Sequence, residues 1–143
     1  MINAEFYTEI NGKIGSQKDQ IYTAKKELIA LRKDLLQLNT ENLKIEESWL
    51  DSLKILDKET GYDTQQKSER KSEIDADSRA GQEENNSNIG NKNCQVTEGQ
   101  EKISALVDGL QSLEDQKSKR RKNDAYELKT IGKFFSGLAK YFW

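Results

Sequence analysis

Residues 20–56 read QIYTAKKELIALRKDLLQLNTENLKIEESWLDSLKIL, and the seven-residue spacing of their apolar side chains decides the fold. The spacing extends back to Tyr7 and forms two sets that lie three residues apart. Such sets occupy the two core positions of a coiled coil, and a strict seven-residue period predicts a left-handed supercoil. The first set is Tyr7, Ile14, Ile21, Leu28, Leu35, Asn42, Trp49 and Leu56, and the second is Ile10, Gln17, Ala24, Leu31, Leu38, Ile45 and Ser52.

A further apolar row follows the first set by one residue. An apolar face three positions wide in each heptad indicates packing against more than one neighbour. The sequence therefore predicts at least two partners for this helix, and either the core of the same chain or a different protein could supply the second. The row consists of Tyr22, Ile29, Leu36, Leu43 and Leu50.

Composition favours an all-α fold. The chain has 143 residues, no proline, 14 Leu and 11 Ile against only 2 Val, so few residues favour strands. Its 34% hydrophobic content is low for a thick globular core. We predict an elongated antiparallel helical hairpin of the coiled-coil type, in a single helical domain covering residues 1–143.

The pattern also predicts where the helices lie. Glycine and asparagine at 11–16 mark a turn, so the first long helix is placed at 16–58, and residues 57–63 are a break. Residues 64–99 hold few apolar side chains and are predicted to form a polar connection, helical over 64–80 and a loop over 81–99. Heptad spacing resumes near Ile103, which places a second long helix at about 100–140.

The residue types argue against catalysis. There is no histidine, the usual general base and metal ligand, and Cys94 is a lone thiol that cannot form an intramolecular disulfide. The carboxylates lie on polar faces, and none lies in an apolar pocket of the kind that a general acid needs. The sequence therefore predicts a non-enzymatic protein without cofactor or metal. It also shows no Sec-type signal peptide and no transmembrane segment, so we predict a protein of the cytoplasm that could leave the cell only by another route.

Residues 117–122 form the one basic cluster, with five Lys or Arg side chains. Such clusters can bind phosphates, but no aromatic side chain lies among them to stack on bases, and the chain has a net charge of -2. Nucleic acid is therefore disfavoured. A solvated face or pairing with Asp34, Glu41 or Glu46 explains the cluster better.

The C-terminus is rich in aromatic residues. Five of the eleven aromatic residues of the chain lie in its last ten positions, and aromatic side chains dominate burial in cores and interfaces. We expect this segment to be covered. Three covers remain open: Phe6, Tyr7 and Ile10 of the same chain, a partner protein, or a membrane surface, which is the least favoured.

Three features together resemble the small helical proteins encoded beside LXG-type toxins of bacterial type VII secretion, especially the YwqH-like family. The opening Asn11-Gly-Lys-Ile before a heptad helix is similar to the start of that family. Trp49 resembles the tryptophan of WXG-type helical hairpins, although Leu50-Asp51 follows where that motif has glycine two residues after tryptophan. The ending Gly137-Leu-Ala-Lys-Tyr-Phe-Trp143 is similar to the Trp-ending C-terminus of the family.

The resemblance implies an accessory protein that binds the helical N-terminal domain of an LXG-type toxin, with or without a second small helical protein, and supports its export. The alternative is a coiled-coil scaffold or stalk component of a flagellar or type III-like export apparatus. The partner-binding residues implied by the toxin interpretation are Ile29, Leu36, Leu43, Trp49, Leu50, Phe134, Phe135, Phe142 and Trp143.

Overall fold

A computed structural model describes the backbone of residues 3–142 and the side chains of residues 3–137. It contains two α-helices, α1 (Ala4–Lys58) and α2 (Thr64–Phe142), joined by residues 59–63. The helices pack against each other, and no strand occurs among the described residues. The prediction of an all-α helical hairpin is confirmed.

Side-chain caps explain where the two helices begin. The backbone N–H of Phe6 donates to Asn3 Oδ1 at 3.2 Å, so Asn3 is the N-cap of α1. At the start of α2, the N–H of Gln66 donates to Asp63 Oδ1 at 2.8 Å, and the N–H of Asp63 donates to Gln66 Oε1 at 3.0 Å. This reciprocal pair is a capping box, which fixes the break between the helices at residues 59–63.

Two predicted boundaries are wrong. Helix α1 begins at Ala4 rather than at residue 16 and passes through Gly12 and Gly15 without a turn. Residues 81–99 are not a loop, and α2 is continuous from Thr64 instead of starting near residue 100. Glycine and asparagine lower helix stability by at most about 1 kcal/mol each in a helix interior. Contacts made by the two heptad-spaced apolar sets, which we call the seam, can offset this loss.

The chain divides into two compact units. One comprises residues 1–25 and 101–143, and the other residues 26–100. In the first unit the Gln17 amide donates to the carbonyl oxygen of Leu106 at 2.8 Å. In the second, Lys92 pairs with Asp34 at 3.3 Å and Trp49 Nε1 donates to Asp75 Oδ1 at 2.7 Å. Within each unit the residue number on α2 falls as the residue number on α1 rises, so the helices are antiparallel. In the first unit Tyr7 lies opposite Asp124 and Gln17 opposite Leu106, and in the second Asp34 lies opposite Lys92 and Trp49 opposite Asp75.

The seam predicted for α1 is the side of the helix that the structure buries. All fifteen seam positions are buried or half-buried. No described side chain is less than 2% exposed, as expected for two helices without a third layer. The apolar seam residues of α1 below 10% exposure are Ile10, Ile14, Ile21, Ala24, Leu28 and Leu56.

Asn42 interrupts this seam with a polar side chain. Its amide nitrogen donates to Asn86 Oδ1 at 3.1 Å, while its own Oδ1 is buried without a hydrogen-bond partner. A single asparagine at a coiled-coil core position fixes register at some cost in stability. Asn42 therefore favours the pairing of α1 with α2 over shifted alternatives.

Glycines in α2 allow close approach at two seam positions. A Cβ at Gly81 would lie 3.3 Å from Ile45 Cδ1, and one at Gly109 would lie 2.7 Å from the amide nitrogen of Gln17. The absence of a side chain at Gly109 lets Gln17 reach the Leu106 carbonyl. These glycines serve packing, whereas Gly90 has open space around it.

Replacing Gly90 with alanine is expected to raise the free energy of unfolding by about 0.5–1 kcal/mol, since alanine loses less backbone entropy in a helix. Urea denaturation followed by circular dichroism measures the change. Gly109→Ala is the matched control, because the gain in helix propensity there is opposed by displacement of Gln17. Equal stabilisation by both substitutions would contradict the packing role of Gly109.

Candidate functional site: two exposed apolar surfaces

The first surface is the row of residues that follows the α1 seam. One residue advances a helix by about 100°, so this row lies about 130° around α1 from the middle of the seam, well away from α2. In the unit formed by residues 26–100 we call four of its members the outer stripe. They are Ile29, Leu36, Leu43 and Leu50, with exposures of 51%, 68%, 59% and 56%.

Exposure of the outer stripe agrees with the sequence argument that α1 needs more than one neighbour. The interpretation in which this row packs within the same chain is not what the structure shows, because α2 covers only the seam. Tyr22, the member in the other unit, is 62% exposed. Four large apolar side chains in one heptad-spaced row thus make an exposed apolar face along one side of α1.

Trp49, predicted as a partner-binding residue, lies in the seam. Its indole is half-buried against α2, and its N–H donates to Asp75. Tryptophan N–H groups need a hydrogen-bond acceptor when they are buried, and Asp75 supplies one within the chain. The structure thus separates Trp49 from the neighbouring Leu50, which points outward.

The second surface is the end of α2. A hydrogen bond between the helices joins Tyr7 to Asp124, and α2 continues for another 18 residues to Phe142. At 1.5 Å per residue, this segment extends about 27 Å beyond the level of Tyr7. We call residues 125–142 the overhang. Every residue from 125 to 136 is exposed.

The described part of the overhang carries a dense set of apolar side chains. Phe134 and Phe135 contact each other edge to face, with ring centroids 5.9 Å apart. Phe142 and Trp143, the other predicted partner-binding aromatics, lie outside the side chains that the structure describes. The exposed large apolar residues of the overhang are Tyr126, Leu128, Ile131, Phe134 and Phe135, at 72%, 52%, 42%, 64% and 63%.

The expected cover from the same chain is absent over this part of the overhang. Phe6 and Tyr7 contact each other, at 5.4 Å between centroids, and Ile10 is buried in the seam. None of the three is level with Phe134 or Phe135, because α1 starts at Ala4, only three residues beyond Tyr7, which lies opposite Asp124. Packing of Phe134 and Phe135 against Phe6, Tyr7 and Ile10 is therefore excluded.

A polar cluster closes the paired part of the hairpin next to the overhang. The Tyr7 hydroxyl donates to Asp124 Oδ2 at 2.5 Å, and Arg120 Nε lies 3.3 Å from Asp124 Oδ1. The Arg120 guanidinium also lies over the Phe6 ring, 5.6 Å from its centroid. The hypothesis that the basic cluster pairs with Asp34, Glu41 or Glu46 is thus wrong for Arg120, and Asp34 pairs with Lys92.

The hydrogen bond to Asp124 raises the pKa of Tyr7 above its ordinary value of 10.0, as do burial and the Asp124 charge, while Arg120 and Arg121 oppose the shift. A raised pKa means that folding favours the protonated phenol. The stabilisation is therefore present below pH 10 and is lost as the pH rises through the raised pKa.

We expect an ultraviolet titration to show one tyrosine that ionises after the ordinary range. Tyr7→Phe should remove this late step, because it removes the phenol that Asp124 holds protonated. Tyr126→Phe, at an exposed position of the overhang, is the control and should leave the late step in place. Persistence of the step in Tyr7→Phe would assign it to another tyrosine.

The other described side chains offer few features that would bind a small ligand or a metal ion. The grooves between the helices are open and lined mainly by polar side chains. Within the described residues, no three His, Cys, Asp or Glu side chains converge as metal ligands, and no helix is long and apolar enough to cross a membrane. No protein family, curated protein or solved structure matches the chain.

Proposed function

We propose that this protein is a non-enzymatic accessory subunit that binds helices of another protein through the outer stripe and the overhang. The observation that carries the proposal is the exposure of heptad-spaced apolar side chains, 51–68% on the outer stripe, which no other described residue covers. Exposed apolar patches of this kind mark protein interaction sites.

The spacing of the exposed residues supports a partner that is itself helical. A seven-residue period on one helix matches the repeat of a second helix packed nearly parallel or antiparallel to it. In the overhang, α2 continues past the first residue of α1, so a helix of the partner could pack against α2 in the place that α1 occupies elsewhere. Amphipathic helices laid on these faces would bury both, in the helix-in-groove mode.

The resemblance drawn from the sequence names a specific partner. We propose the helical N-terminal domain of an LXG-type toxin, with this protein supporting export of the toxin by type VII secretion. A second small helical protein in the same complex is compatible with two separate apolar surfaces. A uniformly polar stalk, the alternative, has no need of an exposed apolar stripe and an aromatic overhang.

Coexpression with the N-terminal domain of an LXG-type toxin tests this proposal. Size-exclusion chromatography with light scattering should show a stable complex. Leu36→Asp with Leu43→Asp, and separately Phe134→Asp with Phe135→Asp, should each weaken it at least tenfold, because they place charge in an apolar contact.

Ala30→Asp with Gln37→Asp is the matched control, because both residues are exposed on α1 directly beside the stripe. That variant should retain the complex. A wild-type chain that stays separate from the toxin domain would overturn the toxin proposal. Binding that survives both pairs of aspartates would overturn the assignment of the two surfaces.

A further inference from the structure

The charges that flank the outer stripe are arranged unevenly along α1. Between Ile29 and Leu36 the stripe is flanked by Arg32 and Lys33, and between Leu43 and Leu50 it is flanked by Glu46 and Glu47. All four side chains are exposed, and none of them forms an ion pair with another side chain in residues 3–137. The stripe thus has a basic half and an acidic half.

This arrangement is complementary to itself when one copy is reversed. With Leu36 level with Leu43 of a second copy, Ile29 is level with Leu50 of that copy. In the same register Arg32 lies beside Glu46 on one flank of the contact and Lys33 lies beside Glu47 on the other, and the two-fold axis repeats each contact. A parallel pair in equal register would instead place like charges opposite each other, which is destabilising.

We propose that a second copy of this chain covers the outer stripe, giving an antiparallel two-fold dimer of α1 helices. The contact is isologous, with four apolar layers and four ion pairs. Residues 29–50 span about 33 Å of helix, a contact at the small end for protein interfaces, so we expect micromolar dissociation constants.

The dimer and the partner complex use the same stripe, so a toxin helix would displace the second copy. The inference does not depend on the identity of the partner, because it rests on the charges and apolar residues of this chain alone. If the chain is monomeric and binds the toxin domain, the dimer proposal is wrong and the proposed function stands. If the chain dimerises and does not bind the toxin domain, the proposed function is wrong and the dimer proposal stands.

Sedimentation velocity of the full chain between about 1 and 200 μM tests the proposal. The wild type should pass from monomer to dimer over this range, because these concentrations bracket the expected micromolar dissociation constant. Leu36→Asp should abolish the dimer while circular dichroism shows the helices intact, because that side chain is 68% exposed in the single chain.

Charge reversal gives a sharper test of register and direction. The variant Arg32→Glu with Lys33→Glu, and the variant Glu46→Lys with Glu47→Lys, should each dimerise at least tenfold more weakly, because each places like charges at every ion pair. Mixed together they should form a heterodimer, because every pair is then opposite in sign. Lys71→Glu with Lys102→Glu, exposed on α2, is the control and should dimerise as the wild type does.

A wild type that stays monomeric at 200 μM would overturn the dimer. Dimerisation that persists in Leu36→Asp would overturn the assignment to the outer stripe. Failure of the two charge variants to associate on mixing would overturn the antiparallel register.

Discussion

Leu28→Ala is expected to lower the free energy of unfolding by about 2–3 kcal/mol, at the lower end of the range for leucine truncations in cores. Leu28 is 7% exposed and lies at a seam position, where a Cβ on Gly99 would be 3.4 Å from its Cδ1. The lower end applies because no described side chain in this two-layer structure is completely enclosed, so water can reach part of the cavity.

Leu36→Ala provides the comparison, with the same substitution on the same helix at a side chain that is 68% exposed. It should change the free energy of unfolding by less than about 0.5 kcal/mol, as is usual for surface positions. Urea denaturation should be done below the concentration at which the chain dimerises. Similar losses at both positions would mean that the outer stripe is covered within the folded chain.

The α1 seam could be predicted residue by residue because heptad periodicity is a property of the sequence alone. A seven-residue repeat places both of its apolar sets on one side of the helix, where a single neighbouring helix can cover them. The structure buries those fifteen positions, including the polar Gln17 and Asn42. The pattern also predicted the break near residue 61, where a capping box then starts α2.

The helical state of residues 81–99 could not be predicted from composition. Asparagine and glycine favour loops when local propensity decides, but each costs only a fraction of what a buried seam residue contributes. Ile89 and Val96 are half-buried at heptad spacing across this stretch, and Gly81 and Gly99 lie against Ile45 and Leu28. Packing against α1 therefore decides the conformation.

The sequence could not predict that the end of α2 extends past the start of α1. The reason is that the register between the two helices depends on the turn at residues 59–63, which the heptad pattern does not describe. Periodicity shows which side of each helix is apolar, but not which residue of α2 lies opposite Tyr7. The capping box at Asp63 places Asp124 there, and because α1 begins only three residues before Tyr7, the described residues from 128 onward extend past the start of α1. The sequence alone left three covers open, and the register excludes the start of α1 as the cover of Phe134 and Phe135.

Trp49 is a residue for which the sequence supports two different interpretations, a seam position and a partner-binding position. It belongs to the first heptad set, which favours the seam, and the resemblance to helical hairpins of secretion systems favours partner binding. The structure gives it a half-buried site with an intramolecular hydrogen bond of 2.7 Å to Asp75. A hydrogen bond to a charged acceptor contributes about 1.5–3 kcal/mol when it is well formed.

Trp49→Ala is therefore expected to lower the free energy of unfolding by about 3 kcal/mol, since both the aromatic contact with α2 and the hydrogen bond are lost. Trp49→Phe should lower it by about 1 kcal/mol, because the ring still fills the seam and Asp75 regains water. Urea denaturation followed by circular dichroism measures both, because the helical signal does not depend on the indole.

Leu50→Ala is the matched control, because Leu50 is the next residue in the chain and is 56% exposed. Its substitution should leave stability nearly unchanged and weaken contacts made by the outer stripe. Since a seam residue acts on folding and a stripe residue acts on association, the two neighbouring variants should separate these effects. A Trp49→Ala variant of unchanged stability that no longer binds a helical partner would instead place the indole in the partner interface.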